Sequence, residues 1–287
     1  MGINKSQIFI GTSQFKSTYG ITNQNKNFSN KYFYKILEYC CKNGILNFDT
    51  APGYNSEKLL GNFIKRNQLK KIKISTKIPK IKDNKFFKNI VRDSIDNSLN
   101  KLNSNIYTLF LHSVNDIDLF LKNTQFFFDL VKEYKIKKIG FSIYDLKDLK
   151  KLTSLKNQLS LQIPVNIPNN NFDDILNTKN KSNNVIFGRS FFLQGLLLQS
   201  TKKKIRPTLK KSLKKYYSFL QMNNLNPLEV NLAYVNSQKN LNYYIFGIEK
   251  ISQIQQIINN RNIDLDKKIF NKIRSFFLKK DIDPRNW

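Results

Sequence analysis

Eight times along this chain a short apolar run hands over to an amphipathic stretch, and that alternation restricts the fold more than any single motif does. Gln7–Thr12 reads as a strand and Asn30–Asn43 as a helix with Phe33, Ile36, Leu37 and Cys40 facing inward; Ile45–Asp49 and Ser56–Asn67 repeat the pair. The third to fifth units are Ile72–Lys77 with Phe86–Leu102, Ile106–His112 with Asp116–Tyr134, and Ile136–Ser142 with Asp145–Lys156. Leu159–Asn166 is followed by a weak helix at Phe172–Asn177, and Asn184–Arg189 by helices at Thr208–Met222 and Pro227–Asn236. Tyr243–Gly247 and Ser252–Asn260 close the series, and Asp266–Leu278 is an extra helix at the C-terminal end. Strands that alternate with helices pair in parallel through right-handed crossovers. Eight such units in 287 residues match one closed (β/α)8 TIM barrel, an α/β fold occupying residues 1–287 as a single domain. An open doubly wound sheet that binds nucleotide would need a glycine-rich turn after its first strand, and GTSQFKSTYG has no G-x-G-x-x-G. Neither a P-loop nor a G-x-S-x-G elbow occurs.

Within that frame the stretch ILNFDTAPGYNSEKLLG, residues 45–61, concentrates chemistry. Asp49 stands where the second strand ends, Tyr54 lies in the Pro/Gly turn that follows, and Asn55 or Ser56 is placed to cap the next helix. Lys77 closes the third strand in KISTKIPK and His112 the fourth in YTLFLHS. The separations, 28 residues and then 35, each correspond to a strand, a helix and their loops, so all four side chains belong to one rim. In a barrel of this kind the carboxyl rim carries the active site. A phenol is a poor acid at neutral pH unless a cation in contact stabilises its anion. Lys77 can supply that cation, Asp49 can hold the ammonium, and His112 can donate a hydrogen bond to a carbonyl that takes a proton from Tyr54. Any one of these residues alone would be unremarkable; their arrival at successive strand ends is what points to carbonyl reduction.

Charge and thiols narrow the remaining classes. The net charge of +29 comes from 42 Lys against 7 Arg, spread over every segment. A nucleic-acid reader would favour Arg and a basic stripe interleaved with aromatics, so no nucleic-acid partner is expected. The longest basic run, Lys202–Lys204 with Lys210, Lys211, Lys214 and Lys215, reads as an exposed helix flank. Cys40 and Cys41 are adjacent on a helix, where a mutual disulfide would be strained, and read as buried thiols of a reducing compartment. One His and no Cys pair at metal spacing leave almost no ligands for a zinc site, and no metal is expected. No run of about 18 apolar residues is present and the first residues lack a signal-peptide core, so no membrane association and a cytoplasmic location are expected. Nothing in the sequence speaks to oligomeric state.

The run NFDTAPGYNSEKLLG, the STKIP lysine, the LFLHS histidine, the strands IGFSIY and LQIPVN, FGRSFFLQGLL and the ending IFGIEKISQIQQII together resemble the aldo-keto reductase superfamily, from Ile8 to Ile258. FIGTSQF…YGITN and the terminal DPRNW are similar to a bacterial branch associated with polysaccharide and sugar biosynthesis. The resemblance implies a (β/α)8 barrel binding NADP(H) in preference to NAD(H), no metal, and reduction of an aldehyde or ketone, sugar-derived in that branch, or the reverse oxidation. The family's Asp, Tyr, Lys and His tetrad falls on Asp49, Tyr54, Lys77 and His112. The carboxamide pair falls on Ser142 and Ile143, so Ser142 would act with Gln162. The position of the nicotinamide-stacking aromatic falls on Arg189, followed by Ser190, with Leu193, Gln194 and Gly195 toward the pyrophosphate. After the eighth strand, Gly247, Lys250, Gln253 and Gln256 fall in the adenosine region, with Lys250 the nearest cation for a 2′-phosphate. The usual Gly after the tyrosine is absent, Tyr54 being followed directly by Asn55. The altered carboxamide and 2′-phosphate positions admit an alternative: a catalytically weak barrel of the same type that binds nucleotide as a sensor or partner subunit.

Overall fold

The computed structural model describes residues 2–15, 29–153, 155, 157–177, 183–200 and 205–283. Eight parallel strands close into a barrel in the order of the sequence. In chain order the elements begin with β1 (Ile8–Gly11), α1 (Asn30–Lys42), β2 (Asn47–Asp49), α2 (Glu57–Arg66), β3 (Lys73–Ile78), α3 (Phe87–Leu102) and β4 (Thr108–Leu111). They continue with α4 (Ile117–Lys122), α5 (Thr124–Glu133), β5 (Lys138–Ser142), α6 (Leu146–Leu152), β6 (Ser160–Pro164) and α7 (Asp173–Asn177). The last are β7 (Val185–Arg189), α8 (Pro207–Met222), α9 (Pro227–Asn236), β8 (Tyr243–Gly247), α10 (Ile251–Asn259) and α11 (Lys267–Arg274). The seam joins β8 to β1, where Gly247 pairs with Gly11.

Period-two alternation sorts the strand residues between two apolar regions. Outward-facing Ile8, Ile10, Phe48, Ile74 and Leu109 pack against the helices, whose buried stripes include Phe33, Leu60, Val91, Phe127 and Ile254. Inward-facing Phe9, Phe110, Val185, Phe187 and Ile245 fill the barrel itself. Phe187 meets Phe9 and Phe110 edge-on, each at 5.3 Å between ring centres, the geometry ring quadrupoles favour. Below this plug, Tyr107 and Tyr243 share a hydrogen bond at 3.0 Å, and Lys73 donates to Tyr243 at 3.3 Å. Above it the inward residues turn polar: Asp49, Lys77, Gln162 and Ser142 are all buried at the carboxyl end. The interior therefore seals one end of the barrel with rings and furnishes the other with functional groups.

Three local features depart from the sequence reading. The helix expected over Asp116–Tyr134 is two helices, because Asn123 leaves helical geometry (φ −131°, ψ 33°) and its amide donates to the Leu119 carbonyl at 2.9 Å. Ser56 precedes α2 without capping it. Its hydroxyl instead donates to Thr12 Oγ1 at 2.8 Å and lies 3.1 Å from Thr50 Oγ1, tying the start of α2 to the ends of β1 and β2. The expected C-terminal helix is shorter, ending at Arg274. Lys210, Lys211, Lys214 and Lys215 are exposed along α8. Lys202–Lys204, Lys156, Trp287 and most of the branch-specific opening and ending lie outside the described residues. Among the described residues no helix is long and apolar enough to cross a membrane, and no group of three potential metal ligands occurs.

Candidate active site

The side chains of β2, β3 and β4 that were expected at one rim do converge there. Lys77 is almost wholly buried, at 1% exposure. Its ammonium donates to Asp49 Oδ2 at 2.8 Å and to the Thr50 carbonyl at 2.9 Å. The other Asp49 oxygen accepts from Gln162 Nε2 at 2.8 Å, so a β6 side chain orients the acid. The Lys77 nitrogen lies 4.9 Å from the centre of the Tyr54 ring. Burial alone would lower the Lys77 pKa, but the Asp49 carboxylate and the Tyr54 phenol outweigh it and raise the value above that of an ordinary lysine. The site therefore holds a fixed positive charge beside a phenol.

Tyr54 projects from a single tight turn, Pro52–Tyr54, that ends with Asn55 in the left-handed region at φ 56°. Glycine takes that conformation most readily and asparagine is among the few residues that tolerate it, so Asn55 fills the turn position that the resemblance assigns to Gly. The His112 ring meets Tyr54 edge-on with 6.4 Å between centres, and its backbone N–H is anchored on the Ile78 carbonyl. Partial burial of the imidazole, then Lys77, then Arg189, push its pKa down to about 4. Solvent reaches more than a third of the residue and screens part of that push, but the direction keeps the ring neutral near pH 7, able to donate from one nitrogen.

A groove of about 490 Å³ opens beside Tyr54 and Asp49 and runs over the ends of β6 and β7 to the start of α10, a size typical of cofactor sites. Of the expected cofactor residues, Gln162, Arg189, Ser190, Gln194, Gly195, Gly247, Gln253 and Gln256 line it. Three do not. Ser142 sits behind the Arg189 guanidinium, 3.5 Å from Nη2; Leu193 is buried and faces a second cavity of about 180 Å³; Lys250 is exposed outside the groove, as the residue before α10. The turn after β7 is unusual: Ser190, Leu193 and Gln194 all have positive φ, near 50–60°, and Gly195 reaches 90°. The turn closes on itself: the N–H groups of Leu193, Gly195 and Leu196 donate to the carbonyls of Ser190, Phe192 and Leu193 at 2.8–3.1 Å. The Arg189 guanidinium carbon lies 4.2 Å from the centre of the Tyr144 ring, and the residue reaches both cavities.

Sequence reasoning missed the groove's far wall. Gln14, from the segment after β1, donates to Glu249 Oε1 at 3.0 Å across the seam, and Phe191, Phe192 and Asn226 complete the lining. The FGRSFFLQGLL run already contained the two rings; Gln14 and Glu249, 235 residues apart, carry no local signal of meeting.

The pattern described as the Aldo/keto reductase family matches residues 7–277. No curated protein matches the chain. Among solved structures, the glycerol dehydrogenase AKR11B4 from Gluconobacter oxydans superposes with a TM-score of 0.70 at 16% identity, over 97% of this chain and 93% of that one. A thermostable aldo-keto reductase, Tm1743, solved with the inhibitor epalrestat, gives 0.68 at 15% identity over 96% of each chain. A putative aldo-keto reductase from Pseudomonas aeruginosa gives 0.63 at 19% identity over 87% of this chain and 86% of that one. At these identities the structures speak for the shared barrel alone.

Proposed function

The chain belongs to the aldo/keto reductase family, an NAD(P)-dependent oxidoreductase, and on that footing we propose that Asp49, Tyr54, Lys77 and His112 reduce an aldehyde or ketone at the mouth of the groove. The observation that carries this reading is the buried Lys77 ammonium, held by Asp49 and the Thr50 carbonyl and facing the Tyr54 ring at 4.9 Å. Gln162, Arg189 and Ser190 line the groove beside Tyr54 and would hold a nicotinamide, whose chemistry there would be to supply the hydride for the carbonyl carbon. Tyr54 gives the proton to the carbonyl oxygen, and the ammonium stabilises the phenolate left behind. His112, neutral, donates a hydrogen bond that fixes the same oxygen. Asp49 and Gln162 keep the ammonium from turning away. The groove suits a dinucleotide in size, about 490 Å³, and because its lining joins Tyr54 and Asp49 of the tetrad to Arg189, Ser190 and the side chains of α10.

Sugar-derived carbonyls are the substrate class we favour. Support comes from the polar character of the second cavity, where Asn166, Asn169 and Asn171 adjoin Arg189. Cys40 and Cys41 are free thiols, consistent with an enzyme of the cytoplasm. The choice between NADP(H), which the sequence favoured, and NAD(H) turns on the charge at the groove's far end.

The test is cofactor oxidation with a panel of open-chain aldoses, ketoses and simple aldehydes, run on the wild type and on Tyr54→Phe. Turnover in the wild type, with a loss of at least about 10²-fold in the variant while nucleotide binding persists, is expected. Equal turnover in the two proteins would remove Tyr54 from its role. Nucleotide binding with no turnover on any substrate would favour the sensor reading.

A further inference from the structure

Resting on the reading of the groove as the site of carbonyl reduction, we infer that the substrate carries an anionic oxygen group, a carboxylate or a phosphate ester, and that Arg189 receives it. Arg189 ends β7 and is half-buried. It lines the groove that holds Tyr54 and Asp49 and lines the second cavity as well. A group bound to this guanidinium can therefore belong to the same small molecule as the reacting carbonyl. His112 feels the same nearness, since the Arg189 charge helps to push its pKa down.

Among the described residues no acid meets this guanidinium: none of the five ion pairs includes it. Its bonds go to neutral oxygens, from Nη1 to Ser190 Oγ at 3.3 Å and from Nη2 to Ser142 Oγ and the Ile143 carbonyl, both at 3.5 Å. Those lengths are at the outer limit of hydrogen bonding. Arg274 shows how a structural arginine is met in the same molecule: Asp173 lies 2.9 Å from Nη1, and Nε donates to the Ile167 carbonyl at 3.0 Å. Bonds from a guanidinium to a carboxylate or phosphate run to about 2.7–2.9 Å and are roughly twice as strong as neutral ones, so an anion displaces the three weak contacts of Arg189. Tyr144, with its ring centre 4.2 Å from the guanidinium carbon, steadies the charge without neutralising it. In the second cavity Lys279 adds another cation, and the two acids there, Asp145 and Asp283, each already have a partner. The net charge of +29 draws any anion toward the molecule. At about 0.15 M salt, however, charges beyond roughly 8 Å are largely screened, so a preference that depends on Arg189 reports contact with it.

Steady-state assays of the full-length protein at saturating cofactor and about 0.15 M salt, on two matched pairs, test this: butanal against succinic semialdehyde, and glyceraldehyde against glyceraldehyde 3-phosphate. The charged member of at least one pair is expected to show a kcat/KM at least about tenfold higher, and the two pairs separate a carboxylate site from a phosphate site. Each protein is judged by the ratio within a pair, so any effect of Arg189 on the cofactor cancels. Arg189→Gln should bring the ratio close to one, and Arg189→Lys, which keeps the charge and loses the planar fork, should lower it less, with thermal melts confirming that the variants fold. A wild-type ratio below tenfold in both pairs, or a ratio that neither variant lowers, overturns the inference and leaves the proposed reaction standing. Should no aldehyde be turned over, the proposed reaction falls, and calorimetric titration with glyceraldehyde 3-phosphate and with succinic semialdehyde decides the inference: binding of either that Arg189→Gln abolishes supports it, and binding of neither, or equal binding by the two proteins, overturns it too.

Discussion

Lys77 illustrates how one side chain can be both a structural liability and a reagent. An ammonium at 1% exposure is tolerable only because Asp49 and a backbone carbonyl meet it, and removing either partner of a buried pair leaves the other uncompensated. Lys77→Met should lower stability by about 3–5 kcal/mol by urea unfolding and lower turnover by at least about 10²-fold. The double variant Asp49→Asn with Lys77→Met should regain much of the stability and none of the activity, because no unpaired charge remains. Stability that stays lost in the double variant would mean that packing, not charge, dominates at this position. His112 gives a pH signature of definite sign. Its pKa is about 4 in the folded protein, below the ordinary 6.5. The unfolded chain therefore takes up the proton first, so this stability is complete above pH 6.5 and is lost as pH falls toward 4. Replacing His112 with Gln should flatten that part of the acid limb in thermal melts recorded from pH 7 to pH 4; an unchanged limb would assign it to carboxylates alone.

The helix that follows the Tyr54 turn is set by a close approach. At Gly61 of α2 a Cβ would fall 2.0 Å from the Lys101 carbonyl oxygen and 2.8 Å from the Leu102 Cα, so α2 lies against the end of α3 with no space for a side chain. Gly61→Ala must push the two helices apart, at a cost of about 1–3 kcal/mol by the measure of overpacked sites. The displacement begins seven residues after Tyr54, and Ser56 couples that helix start to β1 and β2. Turnover should therefore fall by more than the stability loss explains, which assays well below the melting temperature would reveal. Unaltered turnover would show that the turn is held from the strand side only. This element also marks what the sequence could and could not disclose. The inward stripe of α2 was readable from Leu59, Leu60, Phe63 and Ile64, of which the last three are buried and Leu59 is half-buried. The role of Ser56 was not, because capping is the local default and its partners on Thr12 and Thr50 exist only once the barrel has closed. Asn123 escaped for a related reason: the apolar stripe continues through it, and only its side chain bond to Leu119 ends α4.

Closure of the barrel separates what was legible from what was not. Strand order and the convergence of the tetrad followed from a repeated unit and from polar residues at strand ends, both local patterns. The seam between β8 and β1 joins the two ends of the sequence, and everything built across it, including Gln14 on Glu249, was invisible until the ring closed. Charge is the other property of the whole. The excess of 29 basic residues is met, among the described residues, by five ion pairs, of which Lys77–Asp49 is the buried one. Most of the lysines thus face water and one another, and the compact state carries more of that repulsion than the extended chain does. Raising sodium chloride from about 0.01 M to about 0.1 M shortens the screening length from roughly 30 to roughly 10 Å. Each kcal/mol of repulsion so relieved should raise the melting temperature by about 2–4 °C for a protein of this size. Chloride rather than sulfate keeps the effect one of screening, since sulfate also strengthens apolar burial. A melting temperature that falls with added chloride would mean that the surface lysines sit in net attractive networks, and the basic excess would then need a structural explanation of its own.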